Sequence, residues 1–479
     1  DLAALNDAGL PLGRDGRVRG AQSKLAVIDA LSRASESLTV LYARTDESGT
    51  ALNPSPVVLR ICRLMGLEAE PASPWAARSL AALKPVAARA LGQLALGRQA
   101  AGPWRPALAS IRAVPQERPW VERLLGGRTE EPVGEMEVRS LSVSRLEEYA
   151  RCPMAWFIRY GLNPAQWPRF TADPQTIGSF THEAMALLGR QPGALDSEEA
   201  AEAAMTQITQ SLKEKWFAST LEDTAMGDYL FDLMHQVCCR TARAAARQIA
   251  GGSFKPAALE LALPREAAIP LAGGGELQLT GIIDRVDEAG HGWLRVMDYK
   301  TGKKALKPEG VLDGTQLQLW LYLQALLEQD GSRRPAGLYY SPARDELSQE
   351  DPLLDDRPQG ITVDDPEVAE ASDPAAAPGE ESRIIGFKRN KDGSVAGGWS
   401  ERDVRTLCRL AAETAARLGE AMCRGEIEPR PAAQACEYCP YSAFCQRQID
   451  PPAPAPKPGR SALRAALEGR EEDEHAQMD

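Results

Sequence analysis

The sequence predicts an α/β protein, a sandwich of helices around a small mixed sheet, preceded by a shorter α/β piece. Two observations carry that expectation. Between Ser142 and Ser341 the apolar periodicity runs helix, strand, strand, strand, helix, strand, with the last two of the three strands joined by the tight turn Glu288-Ala-Gly-His-Gly. An antiparallel hairpin inside such a mixed order argues for a mixed sheet with helices packed on it. Further upstream, Ala26–Glu36 has helical periodicity, and Leu38-Thr-Val-Leu-Tyr-Ala then reads as a buried strand.

The chain has 479 residues, 43% of them hydrophobic and 25% charged. At about 150 residues per domain this suggests roughly three units with a substantial core. A wholly disordered or collagen-like chain is excluded. No apolar run approaches the ~20 residues of a membrane-spanning helix. The chain opens at Asp1 with no basic-then-apolar leader, so it is expected to be the C-terminal piece of a longer cytosolic chain, or a mature fragment.

Taken in order, residues 1–67 read as the short α/β piece. Residues 68–139, rich in Ala, Leu and Arg with Pro and Trp punctuation, read as a helical connector that ends near Glu131-Pro-Val-Gly-Glu. The main domain is expected over 140–449. Ser144-Arg-Leu-Glu147 has the spacing of a capping box and opens a helix that runs up to Cys152-Pro153. A helix over Ile177–Leu188 carries His182, and a long helical stretch follows over 197–249. Strands are expected at Ala258–Pro264, Glu276–Asp287 and Gly292–Lys300, then a helix over Gly314–Glu328, a strand at Ala336–Ser341 and a helix from Ser400 to Arg424. Between about 345 and 382 many carboxylates stand against one basic residue, Arg357, which predicts a disordered acidic insertion. Residues 450–479, rich in Pro, Ala and charge, predict a disordered tail.

The net charge is −12, from 55 basic and 67 acidic residues. Phosphate contacts need Lys and Arg, so the total argues weakly against a nucleic-acid binder. Setting the acidic insertion aside brings the remainder close to neutral, and the sign of the total then decides nothing.

The strongest chemical signal is Gly281-Ile-Ile-Asp284-Arg, followed across the turn by Val296-Met-Asp298-Tyr-Lys300-Thr-Gly. Side chains alternate along a strand, so Asp298 and Lys300 share a face while Tyr299 takes the other. Asp284 stands on the partner strand. Two converging carboxylates make a hard oxygen site suited to Mg2+ or Mn2+. A lysine beside such an ion can orient a water and balance charge developing on a phosphate. These are the requirements of phosphodiester hydrolysis.

Gly178-Ser-Phe-Thr-His182, Gly281-Ile-Ile-Asp284-Arg, Asp298-Tyr-Lys300-Thr-Gly and Gln316-Leu-Gln-Leu-Trp320 resemble, as a set over about residues 140–447, the successive motifs of RecB-type nucleases in the PD-(D/E)XK superfamily. The resemblance implies a restriction-endonuclease-like fold with added helices. It implies His182, Asp284, Asp298 and the backbone carbonyl of Tyr299 as metal ligands, with Asp284, Asp298, Lys300 and Gln316 as the catalytic set. Glu260, in Leu259-Glu-Leu, is a further candidate for the family's extra acidic ligand. Trp320 stands where the family's tyrosine is expected and is left out of the site.

Cys436, Cys439 and Cys445 crowd into ten residues, with Cys152 far upstream. Four thiolates suit either Zn2+ or a 4Fe–4S cluster, and spacing alone leaves both open. The arrangement is similar to the iron–sulfur nuclease domain of AddB-type subunits of helicase–nucleases, and also to CRISPR-associated RecB-like exonucleases. That likeness implies a 4Fe–4S cluster on these four residues. The remaining cysteines, Cys62, Cys238, Cys239, Cys408 and Cys423, read as small hydrophobes in helices.

Leu31-Ser-Arg33-Ala resembles the end of the AddB helicase-like region, where active superfamily-1 motors carry Thr-Arg-Ala. No Gly-x4-Gly-Lys-Ser/Thr loop occurs, so no ATP hydrolysis is expected of this chain alone. The resemblance implies an exonuclease on single-stranded DNA ends, acting with an AddA-like motor subunit in double-strand-break repair in the bacterial cytoplasm, at the nucleoid. A freestanding CRISPR-associated exonuclease and a non-catalytic DNA-binding scaffold are the alternatives.

Overall fold

The computed structural model describes residues 16–36, 38–42, 52–68, 80–95, 104–125, 136, 138, 140–164, 174–219, 225–264, 267–344, 356–437, 439–441, 445 and 454–468. The chain divides into two compact units at Gly127/Arg128. The first holds α1 (Gly16–Ser32), α2 (Pro56–Met65), α3 (Leu80–Ala95), α4 (Trp104–Arg112) and α5 (Arg118–Leu125). Ser55 caps α2 through its hydroxyl, and Pro56 opens the helix where its missing N–H costs nothing. Ala87, Ile111 and Val121 pack α3, α4 and α5 into a small core. The strand expected at Leu38–Ala43 is not formed over 38–42, where Leu38 and Leu41 are exposed. A buried strand needs neighbours to pair with, and the described residues of this unit contain none.

The second unit is built on a five-stranded mixed sheet in the order β2 (Lys255–Ala262), β5 (Ile282–Glu288), β6 (Trp293–Lys300), β7 (Arg334–Pro342), β8 (Gln359–Thr362). Within it only β6 and β7 run parallel. Their crossover carries α11 (Gly310–Asp313) and α12 (Gln318–Gln329). A second sheet sets β4 (Glu276–Thr280) between β1 (Ser140–Ser142) and β3 (Ala268–Pro270). The single strand expected over Glu276–Asp287 is therefore two, parted at Gly281. A Cβ at Gly281 would lie 2.6 Å from the Tyr322 hydroxyl, so only glycine lets α12 pack this close to the sheet.

One face of the large sheet, with Val286, Val296, Leu338 and Tyr340, packs on α12 and α14 (Glu401–Cys423) in the largest core. Tyr299 and Ala343 join instead the core of α8 (Pro174–Gly189), α9 (Glu198–Ser219) and α10 (Ala225–Gly251). The expected acidic insertion is corrected over 356–382. This stretch supplies edge strand β8 and helix α13 (Pro366–Ser372), and Val368 and Ala369 are fully buried. Its carboxylates are offset by arginines that the local composition could not count: Arg240 holds Asp356 at 2.5 Å and Arg389 holds Glu370 at 3.0 Å. The expected tail is corrected likewise over 454–468, since 460–468 are helical and Leu463 is buried in the main core.

Helix α6 (Val143–Arg151) is capped by Ser142, whose hydroxyl accepts from the Arg145 amide at 3.3 Å, and not by Ser144. Glu147 consequently takes no part in a capping box. It is buried and turned toward α12.

Candidate metal and catalytic site

β5 and β6 pair antiparallel with Arg285 opposite Met297. Continuing that register by one step sets Asp284 opposite Asp298 at the sheet end where β6 finishes. Asp284 Oδ2 accepts the Tyr299 amide at 2.7 Å, which fixes its carboxylate against the neighbouring strand. Two residues beyond Asp298, Lys300 places its ammonium against Asp298 Oδ2. That contact pairs the ammonium with a buried carboxylate oxygen.

α8 brings His182 to the same place, with Nδ1 3.1 Å from Asp284 Oδ1. Glu260 arrives from β2, whose register sets it opposite Asp284. Its φ of 48° lies in the left-handed region, a strained setting for a glutamate within a strand. His182, Glu260 and Asp284 offer three ligand atoms all within 4.8 Å of one another. With Ser179, Tyr299 and Lys300 they line a cavity of about 420 Å³.

The electrostatics of this cavity call for a cation. Burial, then the charge of Asp284, push the Asp298 carboxyl up to about 6, and Lys300 only partly opposes them. Glu260 is raised by the same two causes in the same order. Burial lowers the basicity of His182, but its hydrogen bond to Asp284 and that carboxylate's charge outweigh burial and leave it raised. Like charges crowded out of water are what a divalent ion relieves. The donor set of imidazole and carboxylates fits such an ion. Glu260 joins the group directly, whereas Asp298 stands beside it with Lys300. Tyr299 lines the cavity and engages it through its main chain at the amide.

The glutamine beside the acidic pair is not Gln316. Its side chain accepts from the Lys307 amide at 2.8 Å and donates to the Ala305 carbonyl at 3.0 Å, at a separate cavity of about 1650 Å³ that none of the acidic site residues line. Gln318 holds the position instead: Nε2 donates to Asp298 Oδ1 at 2.9 Å, and Oε1 accepts from Lys300 at 3.4 Å. Tyr322, one turn on, stands 3.3 Å from Gln318 Nε2. Tyr322, and not Trp320, is the aromatic side chain whose hydroxyl meets this glutamine. Gln316 and Trp320 share the same four-residue spacing, but Gln316 precedes the helix, so that spacing does not put them on one face. For the phosphodiester hydrolysis expected from the sequence, Gln318→Ala should slow cleavage on the order of 100-fold by releasing Asp298 and Lys300, and Gln316→Ala should leave it within about twofold. Single-turnover rates of the two variants check this, and equal losses would reject it.

Cys152 ends α6 and precedes α7 (Pro153–Trp156), and its side chain makes no capping hydrogen bond to that helix. Burial raises its thiol, and Cys439 and Cys436 raise it further. The Ala432 amide, donating to the Arg151 carbonyl at 2.8 Å, docks the segment leading to the cysteine triplet beside Cys152. The Cys445 amide reaches the Tyr441 carbonyl at 3.2 Å. None of the nine cysteines is in a disulfide. Four thiols are a donor set whose chemistry fits a cationic centre.

A family model described as the PD-(D/E)XK nuclease superfamily matches residues 140–446. The chain is similar to the AddB-type subunit of the ATP-dependent helicase/deoxyribonuclease of Moorella thermoacetica, 30% identical over 94% of this chain and 43% of that protein. The protein of the same name from Symbiobacterium thermophilum is 31% identical over 92% of this chain and 43% of its own. That from Caldanaerobacter subterraneus is 28% identical over 65% and 30%. The chain thus spans less than half the length of these relatives.

Proposed function

The chain belongs to the PD-(D/E)XK nuclease superfamily, and from that premise we propose that it hydrolyses DNA phosphodiesters, as an exonuclease on single-stranded ends. It does so within a helicase–nuclease that processes double-strand breaks for recombination, beside an AddA-like motor subunit. The observation that carries the reading is the convergence of His182, Glu260 and Asp284 on one point, next to the paired Asp298 and Lys300. His182, Glu260, Asp284, Asp298 and the Tyr299 carbonyl would hold Mg2+ or Mn2+. When bound, that ion supplies a Lewis acid at the phosphoryl oxygen and lowers the pKa of a water. Asp298 keeps Lys300 directed into the cavity, where its ammonium orients the attacking water and balances charge gathering on the phosphate. Gln318 fixes both partners. The names of the relatives support DNA as substrate and a motor as partner. No helix among the described residues is long and apolar enough to cross a membrane.

The test is cleavage of end-labelled single-stranded DNA by the full-length protein with its motor partner. Mg2+-dependent degradation from an end is expected, abolished by chelator and restored by added metal. Chelator-insensitive cleavage, or none, would refute the reading.

Cys152, Cys436, Cys439 and Cys445 would hold a 4Fe–4S cluster, tying α6 to a segment nearly three hundred residues later and coupling its loading to folding. Anaerobically purified protein is expected to be brown, with iron and sulfide bound, and Cys152→Ser to lose both. Stoichiometric zinc in place of iron would overturn the assignment.

A further inference from the structure

Helix α12 has a defect at its start. Its N-cap residue is Leu317, which has no side-chain acceptor for the first free amides. Glu147 provides it from 170 residues away. Its Oε1 accepts from the Leu317 amide at 2.7 Å and from the Gln318 amide at 2.8 Å. The carboxylate is buried, with Lys304 3.9 Å from Oε2. A negative charge at this end of a helix is also favoured by the peptide dipoles. Gln318, whose amide is held, is the residue whose side chain engages Asp298 and Lys300.

The element carrying Glu147 is itself anchored. The Tyr149 hydroxyl donates to the Glu426 carbonyl at 2.6 Å, and the Arg151 carbonyl accepts the Ala432 amide at 2.8 Å. α6 is therefore a fixed support, and Glu147 is the arm by which it sets the phase and depth of the first turn of α12.

We propose that Glu147 is a positioning residue for the hydrolytic site, its buried carboxylate capping α12 and so holding Gln318 against Asp298 and Lys300. The proposal rests on the nuclease reading for its activity measurements but makes a prediction about backbone protection that does not depend on it. Glu147 stands outside the cavity that would hold the cation and needs no contact with substrate. Its effect should pass wholly through Gln318.

The experiment compares Glu147→Ala, Glu147→Asp and Glu147→Gln in the full-length protein with its partner. Glu147→Ala is expected to lower the single-turnover rate on the order of tenfold with the apparent KM little changed. Glu147→Asp keeps the charge, and with it the fold, but falls one methylene short of the amides; it serves where the alanine variant does not fold and should lose a similar factor. Glu147→Gln retains an acceptor oxygen and should recover to within about threefold of the native rate. In a Gln318→Ala background none of these changes should cost anything more, since coupled residues are non-additive. Hydrogen exchange should show faster exchange at the amides of 317 and 318 in the Ala and Asp variants, and native protection in Gln. A full loss that persists in the Gln318→Ala background, a raised KM at unchanged rate, or unaltered exchange at 317 and 318 would overturn the proposal. An inactive native protein whose exchange still responds as described would instead refute the nuclease reading and leave the capping role standing.

Discussion

Asp298→Asn and Lys300→Ala should each lower Mg2+-dependent cleavage on the order of a thousandfold while leaving the protein folded and its cysteine site loaded. Asp298 is nearly fully buried, and its two oxygens divide their work: one takes the hydrogen bond from Gln318, the other faces Lys300. Asparagine keeps the shape and can keep the Gln318 contact, but it removes the charge that holds the lysine and attracts a cation. Lys300→Ala removes the ammonium that faces Asp298 Oδ2 and leaves that carboxylate beside Asp284 without it. Single-turnover cleavage of single-stranded DNA, with circular dichroism and iron content measured on the same samples, checks both. Either variant cleaving within about tenfold of the native rate would remove the catalytic assignment.

The second large effect concerns stability. Asp287 is fully buried between two arginines that are themselves almost wholly buried. Its Oδ1 accepts from Arg285 at 2.8 Å, and its Oδ2 from Arg285 and Arg295 at 2.9 Å each. Arg285 also reaches Gln248 on α10 at 3.0 Å, and Arg295 lies 4.4 Å from the centre of the Phe254 ring. Asp287→Ala strands two buried guanidinium groups, and the expected loss is about 3–5 kcal/mol of unfolding free energy. Urea titration of the intact protein measures it. A loss under about 1 kcal/mol would mean that water or a rearranged side chain replaces the carboxylate.

The same group sets a pH dependence. Burial by itself would raise the Asp287 carboxyl, but Arg285 and Arg295 outweigh burial and hold it below the usual carboxylate range. A depressed folded-state pKa gives stability that is complete above the unfolded value of about 3.9 and is lost as the pH falls through the folded one. The contribution should therefore disappear only below about pH 4, and Asp287→Ala should flatten that part of the acid-unfolding curve.

The separation of Gln318 from Gln316 shows where the sequence stopped being sufficient. Both glutamines lie in one short run, and both have an aromatic residue four positions later. The choice turns on where α12 begins, and that is set by Glu147 from a distant helix. Glu147 itself looked like a local capping residue, because the spacing from Ser144 satisfies the local rule. Ser142 does that work instead. The glutamate was released for a contact that spacing cannot disclose.

The sequence by itself determined the paired strands bearing Asp284, Asp298 and Lys300, because strand alternation and a tight turn act over a few residues. It also supplied Cys152, Cys436, Cys439 and Cys445 as an inventory of thiols, on which the cluster is our proposal. Tertiary structure alone decided that Glu260 turns into the cavity, since a left-handed glutamate is held by its surroundings and not by its own preference. It decided equally that 356–382 fold onto the sheet, where Arg240 and Arg389 meet acids more than a hundred residues away or a turn of loop apart. Local patterns report what neighbouring residues impose on each other. The partners that neutralise a buried charge or cap a bare helix end come from anywhere in the chain, and only packing selects them.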